Sequence, residues 1–129
     1  MRRAVRVVCL VLAAWPVQAQ DPPRWAYLAE CSAVFRSVAL SRGYAKVTDD
    51  EIAAAEAAAI RFRARAVEAA RDAGQAEPET DVASIMVYLE PRWENRIERL
   101  LSVKSNLDWI AYCRRLGQDE GVLTPELAP

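Results

Sequence analysis

Residues 27–38 read YLAECSAVFRSV, and the fold prediction depends on this stretch. Its apolar side chains recur at spacings of three and four, which places them on one face of an amphipathic α-helix. The members of this face are Tyr27, Leu28, Cys31, Val34, Phe35 and Val38. Pro22 and Pro23 precede the helix, and Gly43 is positioned to end it in a left-handed conformation. Cys31 lies in the middle of the apolar face, so we expect its side chain to point into the core.

Upstream of this helix, residues 1–19 have the composition of a secretory signal peptide. Three arginines precede an uninterrupted apolar run of nine residues at 7–15, which is well short of the roughly 20 residues that span a bilayer. Small residues at 17 and 19 suit a signal peptidase, so cleavage is predicted between Ala19 and Gln20. The predicted regions are a signal peptide at 1–19, a helical domain at 20–117 and a flexible tail at 118–129.

Cleavage of the signal peptide would place the mature chain outside the cytoplasm, either in the periplasm or as a secreted protein. It would also remove three arginines and leave 14 basic and 18 acidic residues, a net charge of −4. Such a modestly acidic domain has no basic surface for nucleic acid or anionic lipid. No second apolar run approaches membrane-spanning length. We therefore expect no nucleic-acid partner and no membrane insertion of the mature chain.

Export also decides how the cysteines are interpreted. Cys9 leaves with the signal peptide, so the mature chain keeps Cys31 and Cys113. An even number of cysteines in an exported chain predicts a disulfide. The two positions are 82 residues apart, and closing a loop of that length stabilises a fold by roughly 4 kcal/mol through the entropy of the unfolded chain. Neither cysteine belongs to a Cys-x-x-Cys pair, so we interpret the bridge as structural.

The middle of the chain predicts a second helix. Thr48 and Glu51 have the spacing of a capping box, and acidic residues fill the first turn. An alanine-rich apolar stripe follows and continues to Gly74, where the helix is predicted to end. Alanine in such a stripe allows a neighbouring helix to approach closely.

The remaining chain predicts two further helical segments. The first is capped at Thr80 or Asp81 and keeps one helical phase over residues 82–101, through Pro91. We favour one helix kinked at the proline over two helices that meet there. The last helix covers residues 107–116 and stops at Gly117. The predicted fold is all-α, a small four- to five-helix antiparallel bundle in which one disulfide joins the first and last helices.

The absence of histidine limits the chemistry of this chain. It removes Ser-His and Cys-His nucleophilic catalysis, histidine-ligated zinc and histidine-ligated haem. The four glycines are scattered singly, so there is no phosphate-binding loop. We therefore predict no catalytic residues, no metal site and no cofactor, and we expect that the protein is not an enzyme.

Charged residues around Pro91 fall on separate flanks of the third segment. Glu90, Glu94 and Glu98 form an acidic stripe, and Arg92, Arg96 and Arg99 lie on the opposite flank. Like charges four residues apart weaken an isolated helix by tenths of a kcal/mol. The stripe therefore gains from opposite charges elsewhere. It is either a partner-docking face, an oxygen-ligand cation site at Glu94 and Glu98, or a solvated flank that is bridged to neighbouring helices.

Three other residues are candidates for binding. Arg63 lies near the apolar stripe of the second helix, where it would receive the acidic group of a ligand or pair with a nearby glutamate. Trp25 and Tyr44 are the aromatic residues placed best to mark a partner site at the surface.

The leading functional prediction is an exported, non-catalytic helical binding protein whose partner is a protein of the cell envelope. Inhibitors, immunity-type factors, chaperones and accessory subunits of envelope complexes belong to this class. The first alternative is a carrier that holds a small ligand between helices, which requires an apolar cavity of about 300 Å³ or more that reaches Arg63. The second alternative is an enzyme that uses carboxylates alone, for which the sequence offers no specific pair.

Intact-mass analysis under non-reducing conditions tests both export and the disulfide. We expect the exported protein to begin at Gln20 and to contain no thiol that reacts with an alkylating reagent. Two free thiols, or a mass that retains residues 1–19, would contradict the prediction.

Overall fold

The structure is a computed structural model that describes residues 21–44 and 46–124. The predicted signal peptide lies outside the described residues. Within the described ranges the chain forms four α-helices, one short 3₁₀ helix and no strand. These are α1 (Arg24–Leu40), α2 (Asp49–Asp72), α3 (Pro78–Glu94), the 3₁₀ helix (Ile97–Arg99) and α4 (Lys104–Asp119). The prediction of an all-α fold with four to five helices is confirmed.

Helix α1 is the element against which the other three helices pack. Its predicted apolar face contributes Leu28, Cys31 and Val34 to the core, all fully buried. The buried surface is wider than that face, because small residues on other sides of the helix are also covered. These are Ala26, Ala29, Ser32, Ala33, Ser37 and Ala39. The Ser32 hydroxyl donates a hydrogen bond of 2.7 Å to the carbonyl of Ala59 on α2, so the two helices meet at close range.

The predicted disulfide is present and joins α1 to α4. Cys31 and Cys113 are both fully buried, and their Cα atoms lie 5.3 Å apart across a sequence separation of 82 residues. The aromatic rings of Phe35 on α1 and Phe62 on α2 stack at 5.5 Å between centroids. Through these contacts α1 packs against both α2 and α4 in the core.

Helix α2 begins at the predicted capping box. The backbone N–H of Glu51 donates to the Thr48 hydroxyl at 3.2 Å, and the N–H of Thr48 donates to the Glu51 carboxylate at 2.7 Å. At the other end, the N–H of Gln75 donates to the carbonyl of Ala70 at 3.0 Å, which is the hydrogen bond of a Schellman motif. Both predicted ends of this helix are confirmed.

Helix α3 differs from its prediction at both ends. It begins at Pro78, three residues before Asp81, because proline suits the first helical position, where no N–H is needed. It continues through Pro91, and the N–H of Asn95 donates to the Pro91 carbonyl at 2.9 Å. It then ends at Glu94 and is followed by the 3₁₀ helix. The predicted continuity of the helix through Pro91 is therefore confirmed, whereas its predicted extension to residue 101 and the alternative of a break at the proline are wrong.

Helix α4 was predicted to stop at Gly117, but it continues to Asp119. The left-handed residue that ends it is Gly121, with φ of +69°, and the N–H of Val122 donates to the Gly117 carbonyl at 2.8 Å. Val122 and Leu123 are buried in the core. The predicted flexible tail is therefore wrong for residues 118–124, because the chain after α4 folds back onto the bundle. Residues 125–129 lie outside the described residues.

Gly117 is required by packing rather than by backbone conformation. A Cβ atom there would lie 2.7 Å from the Leu123 side chain and 2.8 Å from Phe62 Cζ. The absence of a side chain at 117 therefore creates the place that Leu123 occupies.

We expect Gly117→Ala to lower the free energy of unfolding by about 1–3 kcal/mol through overpacking, although alanine favours helices over glycine by roughly 1 kcal/mol. Urea denaturation followed by circular dichroism measures this change. In a Leu123→Ala background the same substitution should lower the free energy of unfolding by less, because the side chain that the new Cβ meets has been shortened. An equal loss of unfolding free energy in both backgrounds would contradict a steric clash between residue 117 and Leu123.

Candidate functional site

The glutamates of α3 are paired with arginines of neighbouring helices. Arg36 on α1 lies 3.9 Å from the Glu90 carboxylate and 3.6 Å from that of Glu94. Arg63 on α2 lies 4.0 Å from the same Glu90 carboxylate. Of the alternatives that the sequence left open for this stripe, the structure therefore shows bridging between helices.

Glu98 and Arg99 fall outside α3, because the helix ends at Glu94. The predicted acidic stripe of three glutamates on one helix is therefore wrong in its third member. The Arg99 carbonyl accepts a hydrogen bond of 3.3 Å from the buried Asn106 side chain. Within residues 21–44 and 46–124, no group of three or more His, Cys, Asp or Glu side chains is arranged to hold a metal ion.

The other two arginines of this region contact either Trp93, which is fully buried, or the glutamate that Trp93 binds. The indole N–H of Trp93 donates a hydrogen bond of 3.0 Å to the Glu30 carboxylate on α1. Arg92 lies 3.9 Å from the same carboxylate, and the Arg96 guanidinium lies 4.9 Å from the centre of a Trp93 ring, within the range of a cation–π contact. Both arginines therefore have contacts within the chain.

A surface groove between α1 and α2 brings Arg63 and Glu90 together with apolar side chains. We call it the Ile60 groove; it is lined by Ser32, Arg36, Ala39, Leu40, Glu56, Ala59, Ile60, Arg63 and Glu90 and has a volume of about 410 Å³. Ile60 is 72% exposed and Leu40 is 42% exposed, whereas Ala39 and Ala59 are buried beneath them. The groove therefore has large apolar side chains exposed at its surface and small apolar side chains buried at its base.

The arginine–glutamate pairs of the Ile60 groove leave hydrogen-bonding capacity unused. Their separations of 3.6–4.0 Å are too long for hydrogen bonds. The Nη1 atom of Arg36 is buried and has no hydrogen-bond partner in the described part of the chain. Because a buried donor without a partner is costly, an acceptor supplied from outside would be favoured here.

A second concavity lies between α1, α2 and α4, and we call it the Arg114 pocket. Its volume is about 210 Å³, and its walls include Phe35, Val38, Ala54, Ala58, Ile110 and Leu123. Lys46, Arg61 and Arg114 also line it, together with Glu51. This pocket does not reach Arg63. The Ile60 groove does reach Arg63 and has the volume that the carrier alternative requires, but it is an open surface groove.

Sequence reasoning missed the cationic residues of the Arg114 pocket. Lys46 precedes α2, Arg61 belongs to α2 and Arg114 belongs to α4, so no helical periodicity relates them. A local signal existed in Arg61 alone, because it lies within the alanine-rich segment, three residues after Ala58.

The two predicted surface aromatics have different environments. Trp25 is partly buried and packs against the core, and its indole nitrogen has no hydrogen-bond partner within the described ranges. Tyr44 is 58% exposed and lies between α1 and α2. Of the two, Tyr44 therefore presents more of its side chain to a partner.

No protein-family model matches this chain, and no curated protein or solved structure matches it at a significant level. None of the helices in the described ranges combines the length and the apolar character that a bilayer crossing requires.

Glu30→Ala tests the buried hydrogen bond to Trp93. The substitution leaves the indole N–H without an acceptor, so we expect the free energy of unfolding to fall by about 1–3 kcal/mol. Glu30→Gln is the matched control, because its amide oxygen still accepts the bond and the loss should be smaller. Urea denaturation followed by circular dichroism measures both variants, and equal losses would contradict a specific role for the acceptor.

Proposed function

We propose that this protein is an exported, non-catalytic helical binding protein that contacts a protein of the cell envelope. The disulfide between α1 and α4 supports export, because such bonds persist in oxidising compartments. The observation that carries the binding proposal is the Ile60 groove, where exposed apolar side chains stand beside incompletely satisfied arginines.

The groove suits a protein segment that presents a large apolar side chain close to an aspartate or glutamate. Protein interfaces combine an apolar centre with a polar rim, and Ile60 and Leu40 supply such a centre. Arginine binds carboxylates through paired, charge-assisted hydrogen bonds. The partner's carboxylate would accept from the buried Nη1 of Arg36, which makes no hydrogen bond in the described part of the chain and lies 3.6 Å from the Glu94 carboxylate.

The existing ion pairs favour such an exchange. Arg36 and Arg63 share the Glu90 carboxylate at 3.9 and 4.0 Å, so neither makes a hydrogen bond to it. Partly exposed ion pairs contribute about 0–1 kcal/mol, so rearranging them towards an incoming carboxylate costs little. Specificity would come from the apolar anchor and the carboxylate together.

Selection from a displayed peptide library tests the chemistry of this partner. We expect the oxidised protein to enrich peptides in which a large apolar residue lies within a few positions of Asp or Glu. Ile60→Asp and Arg63→Gln should each weaken the enriched peptides by about tenfold or more, as for residues central to an interface.

The controls for this selection are Ala111→Asp and Arg115→Gln, since both residues are exposed on α4. These variants should bind the enriched peptides as the unmodified protein does. Enrichment without acidic residues, or equal weakening by the α4 variants, would contradict the proposed groove.

Photo-crosslinking in the native cell separates a physiological partner from a selected peptide. A photoreactive amino acid at position 60 should give a discrete crosslinked product from the envelope, and the same amino acid at position 111 should not. Identical products from both positions would contradict a site at Ile60.

A further inference from the structure

We propose that the Arg114 pocket is a second binding site, and that it takes a small amphiphilic anion: a medium-length alkyl chain that ends in a carboxylate. The residues that line it are different from those that line the Ile60 groove. The two sites therefore lie on different faces of α2, and a ligand in the pocket need not compete with a protein in the groove.

The walls of the pocket are suited to an alkyl chain. Phe35 and Val38 come from α1, Ile110 comes from α4, and Leu123 comes from the segment that folds back after α4. Helix α2 contributes only alanines to these apolar walls. A larger side chain at any of those alanine positions would occupy the space, so the pocket exists because this part of the stripe is small.

The charges around the pocket favour an anion. Lys46, Arg61 and Arg114 line it, and no carboxylate of the described residues lies within 4.0 Å of any of the three as an ion pair. The Nε atom of Arg114 is buried and makes no hydrogen bond within the described part of the chain. A buried donor of this kind, beside an apolar cavity, is a fitting partner for a carboxylate head group.

Glu51 is the acidic residue of the pocket lining, and its carboxylate is already engaged by the capping box. It accepts a hydrogen bond of 2.7 Å from the Thr48 N–H. That backbone hydrogen bond is the main cause that lowers the Glu51 pKa, and the charge of Arg114 makes a smaller contribution in the same direction, so the residue is ionised at neutral pH. Three cations against one anion still leave the lining with an excess of positive charge.

The size of the pocket sets the length of the chain. A volume of about 210 Å³ corresponds to roughly seven groups of the size of a water molecule, at about 30 Å³ each. A methylene group is of similar size, so an octanoate chain is of the right length. Sites for drug-sized ligands have volumes of about 300–1,000 Å³, so this pocket suits a short chain better than a larger cofactor.

Isothermal titration calorimetry of the oxidised, exported protein tests this site with octanoate as the probe. Octanol, which has the same chain without the charge, and octylammonium, which has the opposite charge, are the matched probes. We expect octanoate to bind. The affinity for octanol should be lower by about tenfold or more, as for loss of a charge-assisted hydrogen bond, and octylammonium should not bind.

Two variants of α2 test whether the cavity itself is the site. Ala54→Phe fills the pocket and should abolish octanoate binding. Ala53→Phe is the control, because Ala53 is exposed and does not line the pocket, and it should bind octanoate normally. Equal affinity in both variants would overturn the assignment of the site.

Two further variants test the head-group contacts. Arg114→Gln should weaken octanoate by about tenfold, and the double variant Lys46→Gln, Arg61→Gln should weaken it without unfolding the protein, because both residues are exposed. Neither change should affect octanol. If octanoate and octanol bind alike, or if no probe binds, the proposal of an anion site is overturned.

Discussion

Helix α1 is enclosed on most of its circumference, and the rest of the structure depends on this burial. A helix can be surrounded in this way only if its neighbours approach closely, and the alanines and serines along α1 permit that approach. The hydrogen bond from Ser32 to the backbone of α2 satisfies a hydroxyl that would otherwise be buried without a partner. The disulfide at Cys31 then ties the buried helix to α4, which is distant in sequence. A domain of this size has a thin core, so both the close packing and the covalent link are important for its stability.

Most of the segregated charge around Pro91 is used inside the molecule. The glutamates of α3 face arginines of α1 and α2. Arg92 pairs with Glu30, and Arg96 lies over a ring of the buried Trp93. A charged stripe on one helix therefore indicates a need for opposite charge but does not say which element supplies it. What remains available for binding is the unused hydrogen-bonding capacity of Arg36 and the exposed apolar side chain of Ile60.

Helix α2 separates the two proposed sites. One face, with Glu56, Ile60 and Arg63, borders the groove towards α1 and α3. The other face, with its alanines and Arg61, borders the pocket towards α4. The segment after α4 closes this pocket with Leu123, whose position depends on the missing side chain at Gly117. The two proposed sites thus differ in form: one is an open apolar surface and the other is a recessed cavity.

The sequence by itself determined the features that rest on local or covalent chemistry. The all-α class, both ends of α2 and the Cys31–Cys113 bridge followed from helical periodicity, capping residues and the even number of cysteines in a chain predicted to be exported. Tertiary structure alone decided the rest. Periodicity did not decide whether α3 would continue through Pro91 or where it would end; in the structure Leu89 and Trp93, on either side of the proline, are both buried and α3 ends at Glu94. Gly117 had the sequence signature of a helix stop, but contacts with Leu123 and Phe62 gave it a packing role. The Arg114 pocket draws its cations from three separate elements, and periodicity within one helix cannot reveal residues that only the fold brings together.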